Sequence, residues 1–383
     1  MNTRTEFLEI ADRIGARLCR DALWSGGRCN WTGEFREDDS IVLRALGPQV
    51  YQGTAGVAMF LWRLAETTGD GVIRRTAEGA LRQALSKLPQ RGCGFYSGGM
   101  GIRFAAALIR GEVDEEGALA QASPNRELLD VIGGSAGCIG ALLALHRMRG
   151  GSRWLEAASA HADLLLAEAA RSDEGWSWRT APGPRNLTGF SHGTAGIGWA
   201  LLEVWQATGE SRFRAGGMEA FRYERSCFDA ARRNWPDFRQ ETISYPAVWC
   251  HGAGGIGFAR LRAWQLLGED CLLAEARIAL GTVAETLEAD GNGCLCHGIA
   301  GNADLLVYAT EVLGEEQWRA QAEETGRQMA ARYERRSIPW RCVQAGVETP
   351  GLMTGIAGTG YHYLRLAGAD APTVLIPGVA CAG

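Results

Sequence analysis

Apolar residues along this chain fall into two kinds of run. In the first they go nearly all the way round a helix. "AGIGWALLEVW", from Ala195 to Trp205, carries a single charged residue. A helix with almost no polar face belongs inside a protein. In the second kind the faces separate. "GVIRRTAEGALRQALSKL" from Gly71, "SRWLEAASAHADLLLAEAA" from Ser152 and "CLLAEARIALGTVAETLEA" from Cys271 put charge on one face and alanine and leucine on the other. That is the pattern of an outer helical layer. The N-terminal "MNTRTEFLEIADRIGARLCR" is also amphipathic, with Phe7, Leu8, Ile10, Ile14 and Leu18 close to helical spacing.

Runs of the first kind follow one recurring turn. It reads "YQGTAGVAMFLWRL" from Tyr51, "YSGGMGIRFAAALI" from Tyr96, "IGGSAGCIGALLAL" from Ile132 and "SHGTAGIGWALLEV" from Ser191. It returns as "CHGAGGIGFARLRA" from Cys250, "CHGIAGNADLLVYA" from Cys296 and "MTGIAGTGYHYLRL" from Met353. Each unit is two variable residues, Gly-x-x-Gly, then an apolar helical run. The glycines are expected to permit φ > 0 and to let the backbone approach a neighbouring helix closely. Seven copies between residues 51 and 366 make an internal repeat. One inner and one outer helix per copy predicts about fourteen helices. Alternating β-branched runs are almost absent. The expected fold is all-α: an α/α toroid, or double-layered barrel, of seven helix-pair repeats. An open solenoid is the alternative, because repetition does not itself show closure. The chain is expected to be one domain over 1–383, with an N-terminal helical segment at 1–45, the toroid at 46–370 and a C-terminal tail at 371–383.

Composition narrows the classes. The chain has 383 residues, 46% hydrophobic and 22% charged, enough for one large core or two ordinary ones. Lys and Arg number 39 against 44 Asp and Glu, a net charge of −5. No basic block suggests nucleic acid. No apolar signal core and no stretch of about 18 apolar residues appears, so a cytoplasmic protein without a membrane span is expected. The eleven cysteines are scattered and odd in number, which favours a reducing compartment and thiols or a metal over a disulfide framework. Cys19, Cys93, Cys138, Cys227, Cys271, Cys342 and Cys381 are expected to be small apolar residues or surface thiols.

In a closed ring the turns would gather at one end, and the two residues before each first glycine would face a shared cavity. Those pairs are Tyr-Gln, Tyr-Ser, Ile-Gly, Ser-His, Cys-His, Cys-His and Met-Thr in chain order. Cys250, Cys296 and His297 can therefore converge from different repeats. Two thiolates and an imidazole suit Zn²⁺ with a fourth position open for water or substrate. A pair of unmetallated core thiols is the plainer alternative. His251 would close the site if it were a fourth ligand, and Cys294 is a further candidate. His192 has the same offset as His251 and His297 and is a candidate for proton transfer. Asp130, four residues before Gly134, is either a cap or the partner that orients His192. His146, His161 and His362 lie within helical runs and are expected to be structural.

The motifs "DVIGGSAG", "GFSHGTAGIGWAL", "WCHGAGGIG", "LCHGIAGN" and "PGLMTGIAGTGYHYLRLAG" together resemble the lanthionine synthetase C-like family. The likeness is greatest to the C-terminal cyclase region of the class II lanthionine synthetases, and it runs from about residue 28 to about residue 375. It implies an α/α toroid and a zinc-dependent cyclase. Such an enzyme adds peptide cysteine thiols to dehydroalanine or dehydrobutyrine in a ribosomally made precursor peptide, forming lanthionine or methyllanthionine rings. It further implies Cys250, Cys296 and His297 as zinc ligands and His192 and Asp130 as the active-site pair. His251 becomes a pocket residue, with Trp249, Tyr51 and Tyr96 beside it. Two departures stand out. Where the family often has an arginine four residues before the first zinc cysteine, this chain has Pro246, and the nearest upstream arginine is Arg239. The chain is also too short for a dehydratase region, so a separate dehydratase or kinase-lyase is expected as partner. The alternatives are a family enzyme adding glutathione to dehydroamino acids, or a non-catalytic scaffold for a precursor peptide.

Overall fold

The computed structural model describes residues 3–37, 40–287, 291–333, 339–340 and 348–378. Cys342 and Cys381 lie outside the described residues. The chain opens with α1 (Thr3–Arg20), followed by hairpins β1 (Leu23–Ser25) with β2 (Arg28–Asn30) and β3 (Thr32–Glu37) with β4 (Ser40–Ala45). Helices then alternate. The inner ones are α2 (Thr54–Thr68), α4 (Gly99–Arg110), α6 (Ser135–Arg149), α8 (Thr194–Thr208), α10 (Ala253–Leu267), α12 (Ile299–Leu313) and α14 (Ile356–Leu366). Between them come the outer α3 (Gly71–Leu85), α5 (Glu115–Gln121), α7 (Ser152–Ala167), α9 (Ser211–Ser226), α11 (Asp270–Ala284) and α13 (Glu316–Tyr333). A third short hairpin, β5 (Ala170–Ser172) with β6 (Gly175–Ser177), follows α7.

Each inner helix packs against the next, and α14 returns to α2, so the ring closes. The open solenoid is excluded. The seventh outer place is filled from the other end of the chain, because α1 packs on α14, with the Phe7 and Tyr363 rings 5.8 Å apart and Ile10, Ala11, Ile14 and Leu18 buried along the same helix. Burial follows the two patterns read from sequence. Helix α8 is buried at every position from Thr194 to Val204. Helix α3 buries Ile73, Ala77, Ala80, Leu81 and Ala84 as one stripe. The hairpins were not expected, and they escape a periodicity search because an exposed two-stranded ribbon needs no continuous apolar face. Among the described residues no helix is long and apolar enough to cross a membrane.

The seven turns are tied into a closed circuit of backbone hydrogen bonds. Tyr51 N–H donates to the Tyr96 carbonyl at 2.9 Å and Tyr96 to Ile132 at 3.1 Å; Val131 donates to Ser191 at 3.1 Å. The circuit continues from Ser191 to Cys250 and Cys250 to Cys296, both at 3.3 Å. Cys296 to Met353 and Met353 back to Tyr51, both at 2.8 Å, complete it. Residues separated by whole repeats thereby become neighbours at the same height.

The glycines serve this circuit by close approach and not by unusual backbone angles. Six of the seven first glycines have φ between −142° and −105°, which any residue can adopt; Gly252 alone is left-handed, at 73°. The expected general use of φ > 0 is therefore corrected. What forbids a side chain at the second glycine is the carbonyl six residues earlier. A Cβ on Gly101, Gly301 or Gly358 would stand 1.7, 1.8 or 1.9 Å from the oxygen of Phe95, Leu295 or Leu352. The same clash recurs in the other four repeats at 2.0 to 2.1 Å.

The segment 371–378 enters the ring from the end away from the turns. Asp304 of α12 accepts from Arg365 Nε and from Thr373 Oγ1, each at 2.6 Å. Tyr96 Oη and Trp249 Nε1, coming from the turn side, donate to the carbonyls of Val374 and Leu375 at 2.6 and 2.9 Å. Val374, Leu375 and Ile376 are buried there.

Candidate metal centre and active site

The circuit sets Cys250 beside Cys296, and the turns of five repeats bring Tyr51, Ile132, Ser191, His192, Cys250, His251, Cys296 and His297 to one cavity. Cys250 Sγ, Cys296 Sγ and a ring nitrogen of His297 all lie within 4.8 Å of one another. Cys250 Sγ is 4.0 Å from His297 Nδ1. Zinc bonds of about 2.3 Å to sulfur and 2.0–2.1 Å to nitrogen separate tetrahedral ligand atoms by about 3.6–3.8 Å. The cluster has the donor chemistry and nearly the spacing that zinc needs, so the residues fit the ion. A hydrogen shared with Cys296, with His297 and His251 nearby, holds the Cys250 thiol well below the ordinary thiol range. Burial pushes Cys296 well above it. Tyr51 Oη donates to Cys296 Sγ at 2.8 Å. Burial, then the neighbouring thiols, keeps that phenol protonated. Cys294 is outside the cluster: its sulfur accepts from the His297 backbone N–H at 3.5 Å.

His192 and Asp130 meet from adjacent repeats. His192 Nδ1 is 2.5 Å from Asp130 Oδ2, and Asp130 Oδ1 accepts the Gly133 backbone N–H at 2.9 Å. The two readings of Asp130 are thus both present, one on each oxygen. A carboxylate at Nδ1 favours the tautomer with its hydrogen there, leaving Nε2 as acceptor. Nε2 has no hydrogen-bond partner among the described residues.

These groups share one cavity of about 480 Å³, lined by Tyr51, Ser191, His192, Arg239, Cys250, His251, Cys296 and His297 among others. His251 is not in the sulfur cluster. It is 1% exposed, neither ring nitrogen has a hydrogen-bond partner among the described residues, and its ring stacks on His192 with centroids 6.2 Å apart. Burial lowers its pKa, so the ring is neutral. Tyr96 and Trp249, expected at the pocket, are corrected: both are buried beneath it, their polar atoms turned to the 371–378 segment. An indole or phenol under the turns finds a carbonyl there that the cavity does not offer.

Arg239 is the residue that motif reading left unplaced. It lies eleven positions before Cys250 and outside every repeat turn, yet it lines the cavity. The other histidines lie elsewhere. His161 is buried between Ser135 Oγ and the Ala122 carbonyl, and His362 is buried 3.5 Å from Asp304. His146 meets the Gly151 carbonyl. Cys93 and Cys138 cluster with His161 in the core, away from the cavity.

Comparison with known proteins adds the lineage. A sequence model of the lanthionine synthetase C-like protein family matches residues 44–379. The lacticin 481/lactococcin biosynthesis protein LcnDR2 of Lactococcus lactis subsp. lactis is 29% identical over 192 residues, 47% of this chain. The match covers 20% of that protein, so the chain spans about a fifth of this relative. Among solved structures, a nisin cyclase superposes with a TM-score of 0.66 at 15% identity, covering 96% of this chain and 95% of that one. The GH76A alpha-1,6-mannanase of Salegentibacter sp. HEL1_6 gives 0.52 at 13% identity, over 96% of this chain and 100% of that one. At such identities the two structures bear on the fold alone, and both carry it. With the family match extending across all seven repeats, the chain belongs to the lanthionine synthetase C-like family.

Proposed function

We propose that this chain is a zinc-dependent peptide cyclase that closes lanthionine or methyllanthionine rings. In this reaction a peptide cysteine thiol adds to dehydroalanine or dehydrobutyrine in a ribosomally made precursor that has already been dehydrated. One observation carries the proposal: the Cys250, Cys296 and His297 cluster lines the same cavity as His192, whose ring is held by Asp130. Family membership and the likeness to a lacticin 481 biosynthesis protein agree with it.

Cys250, Cys296 and His297 would hold the zinc. When bound, the ion lowers the pKa of an incoming thiol and leaves its sulfur nucleophilic at neutral pH. His192, its Nδ1 tied to Asp130, accepts the thiol proton at Nε2. The sulfur bonds to Cβ of the dehydro residue, the π pair moves to Cα and the carbonyl oxygen, and the imidazolium returns the proton to Cα. Atoms and charge balance, and no oxidant or reductant is needed. Asp130 fixes the tautomer and steadies the transient cation.

Ring closure conserves mass, so the test counts thiols. The purified chain is assayed for zinc and incubated with a synthetic peptide containing one dehydroalanine and one cysteine, then alkylated. Loss of the alkylated mass with about one zinc per chain is expected. A well-folded, zinc-free preparation with full activity would refute the proposal. Addition of glutathione without loss of the peptide's own thiol would favour the adduct-forming alternative.

A further inference from the structure

Thiol addition to an unsaturated amide places negative charge on the amide oxygen, and the cavity must answer that charge. Most polar groups lining it are already committed. Tyr51 Oη is given to Cys296 Sγ, Ser191 Oγ to the Cys250 carbonyl at 3.1 Å, and Nδ1 of His192 to Asp130. His251 is buried. Arg239 alone among the lining residues carries a permanent positive charge.

Its placement is built. Asp237, whose side chain is 6% exposed, takes Arg239 Nε at 3.1 and 3.0 Å on its two oxygens and Nη2 at 2.6 Å. The same carboxylate accepts the Arg239 backbone N–H at 3.0 Å, closing a tight turn. Asp237 N–H in turn donates to the Ser244 carbonyl at 2.8 Å, which pins the loop. One edge of the guanidinium is thus locked. Nη1 has no partner among the described residues, and the side chain is half exposed where it meets the cavity.

We propose that Arg239 binds the carbonyl oxygen of the dehydroamino acid residue and receives the charge that gathers there as the carbon–sulfur bond forms, with Asp237 as its positioning residue. The place four residues before Cys250 holds Pro246, so a cation reaches this cavity from a different loop. The proposal rests on the function proposed above. The electron pair displaced from the double bond is held at Cα and oxygen until His192 delivers the proton to Cα. Arg239 donates hydrogen bonds throughout and exchanges no proton, consistent with a group that stays charged at all accessible pH.

The test uses the zinc-loaded full chain and the dehydroalanine–cysteine peptide. Loss of one preorganised donor to a developing oxyanion lowers kcat by about 10²–10³-fold. Arg239→Gln is expected to show that loss with zinc content unchanged and KM little altered, and Arg239→Lys, which keeps the charge, to recover part of it. An Arg239→Gln enzyme with wild-type kcat would overturn the inference, whether or not KM rises. Zinc loss in that variant would also overturn it, assigning Arg239 to the metal centre. If the unaltered chain does not consume the peptide thiol, the proposed function itself fails. If the chain is active and Arg239→Gln equally so, only the role of Arg239 falls.

Discussion

Replacing Gly301 by alanine tests whether the turn glycines set the metal site. Gly301 is the third residue of α12, and its backbone angles suit alanine, so helix propensity alone would gain about 1 kcal/mol. The added Cβ, however, would stand 1.8 Å from the Leu295 carbonyl oxygen, where 3.0 Å is the least that real Cβ atoms show. The turn must therefore yield by about 1.2 Å. Leu295 precedes Cys296, whose N–H and carbonyl bond Met353 and Cys250 in the circuit at 2.8 and 3.3 Å. Metal sites tolerate ligand displacements of about 0.2 Å, so the shift is several times too large for the cluster. Overpacking of a tight core costs about 1–3 kcal/mol, which exceeds the propensity gain. Gly301→Ala should therefore melt lower than the parent and bind zinc more weakly. Differential scanning fluorimetry and competition against a chromogenic chelator measure both. Gly71→Ala is the control: it begins α3 with nothing within 4 Å of its added Cβ, and about 0.4–1 kcal/mol of stabilisation is expected. Should Gly301→Ala match the parent in both melting temperature and zinc affinity, close approach at the second glycine does not position the ligands.

Three further outcomes follow from the same geometry. Cys250→Ala or Cys296→Ala should reduce zinc from about one per chain to near zero by elemental analysis. Full occupancy in either variant would remove that cysteine from the ligand set. His192→Asn should slow ring closure by about 10²–10⁴-fold in the thiol-alkylation assay while zinc stays in place; concurrent metal loss would mean that His192 is a ligand. His161 gives a pH dependence of stability. Burial lowers its pKa from 6.5 to about 4, so between these values the folded state binds fewer protons than the unfolded one. Stability from this group is whole above pH 6.5 and is lost as pH falls toward 4, about 2 kcal/mol of it by pH 5. Urea unfolding of the parent and His161→Gln at pH 7 and pH 5 reads the difference, and equal slopes would refute it.

Much of this was legible in the chain. Helix identity is local information, and the all-round apolar runs and one-sided runs separate inner from outer helices at nearly every repeat. The equal offset of His192, His251 and His297 from their first glycines singled out the cavity-facing positions before any contact was known. Arg239 was not legible as a site residue, because it sits in no repeat and reaches the cavity only through a loop held by Asp237. Tyr96 and Trp249 were misjudged for the opposite reason. Tyr96 holds a motif position and Trp249 directly precedes one, but their direction was decided by the carbonyls of Val374 and Leu375, over a hundred residues away in sequence.

The sequence by itself determined that there would be seven helical units, each entered through a Gly-x-x-Gly turn, with sulfur and imidazole at matching places in neighbouring units. Only the tertiary structure decided that the units close, with α1 supplying the last outer helix, and that Cys250 and Cys296 meet. The physical reason is additive. Each repeat fixes its own helices through interactions a few residues long, whereas closure depends on small rotations between repeats adding up to a full turn. No single stretch of chain contains that sum, and it is expressed only when Met353 N–H finds the Tyr51 carbonyl.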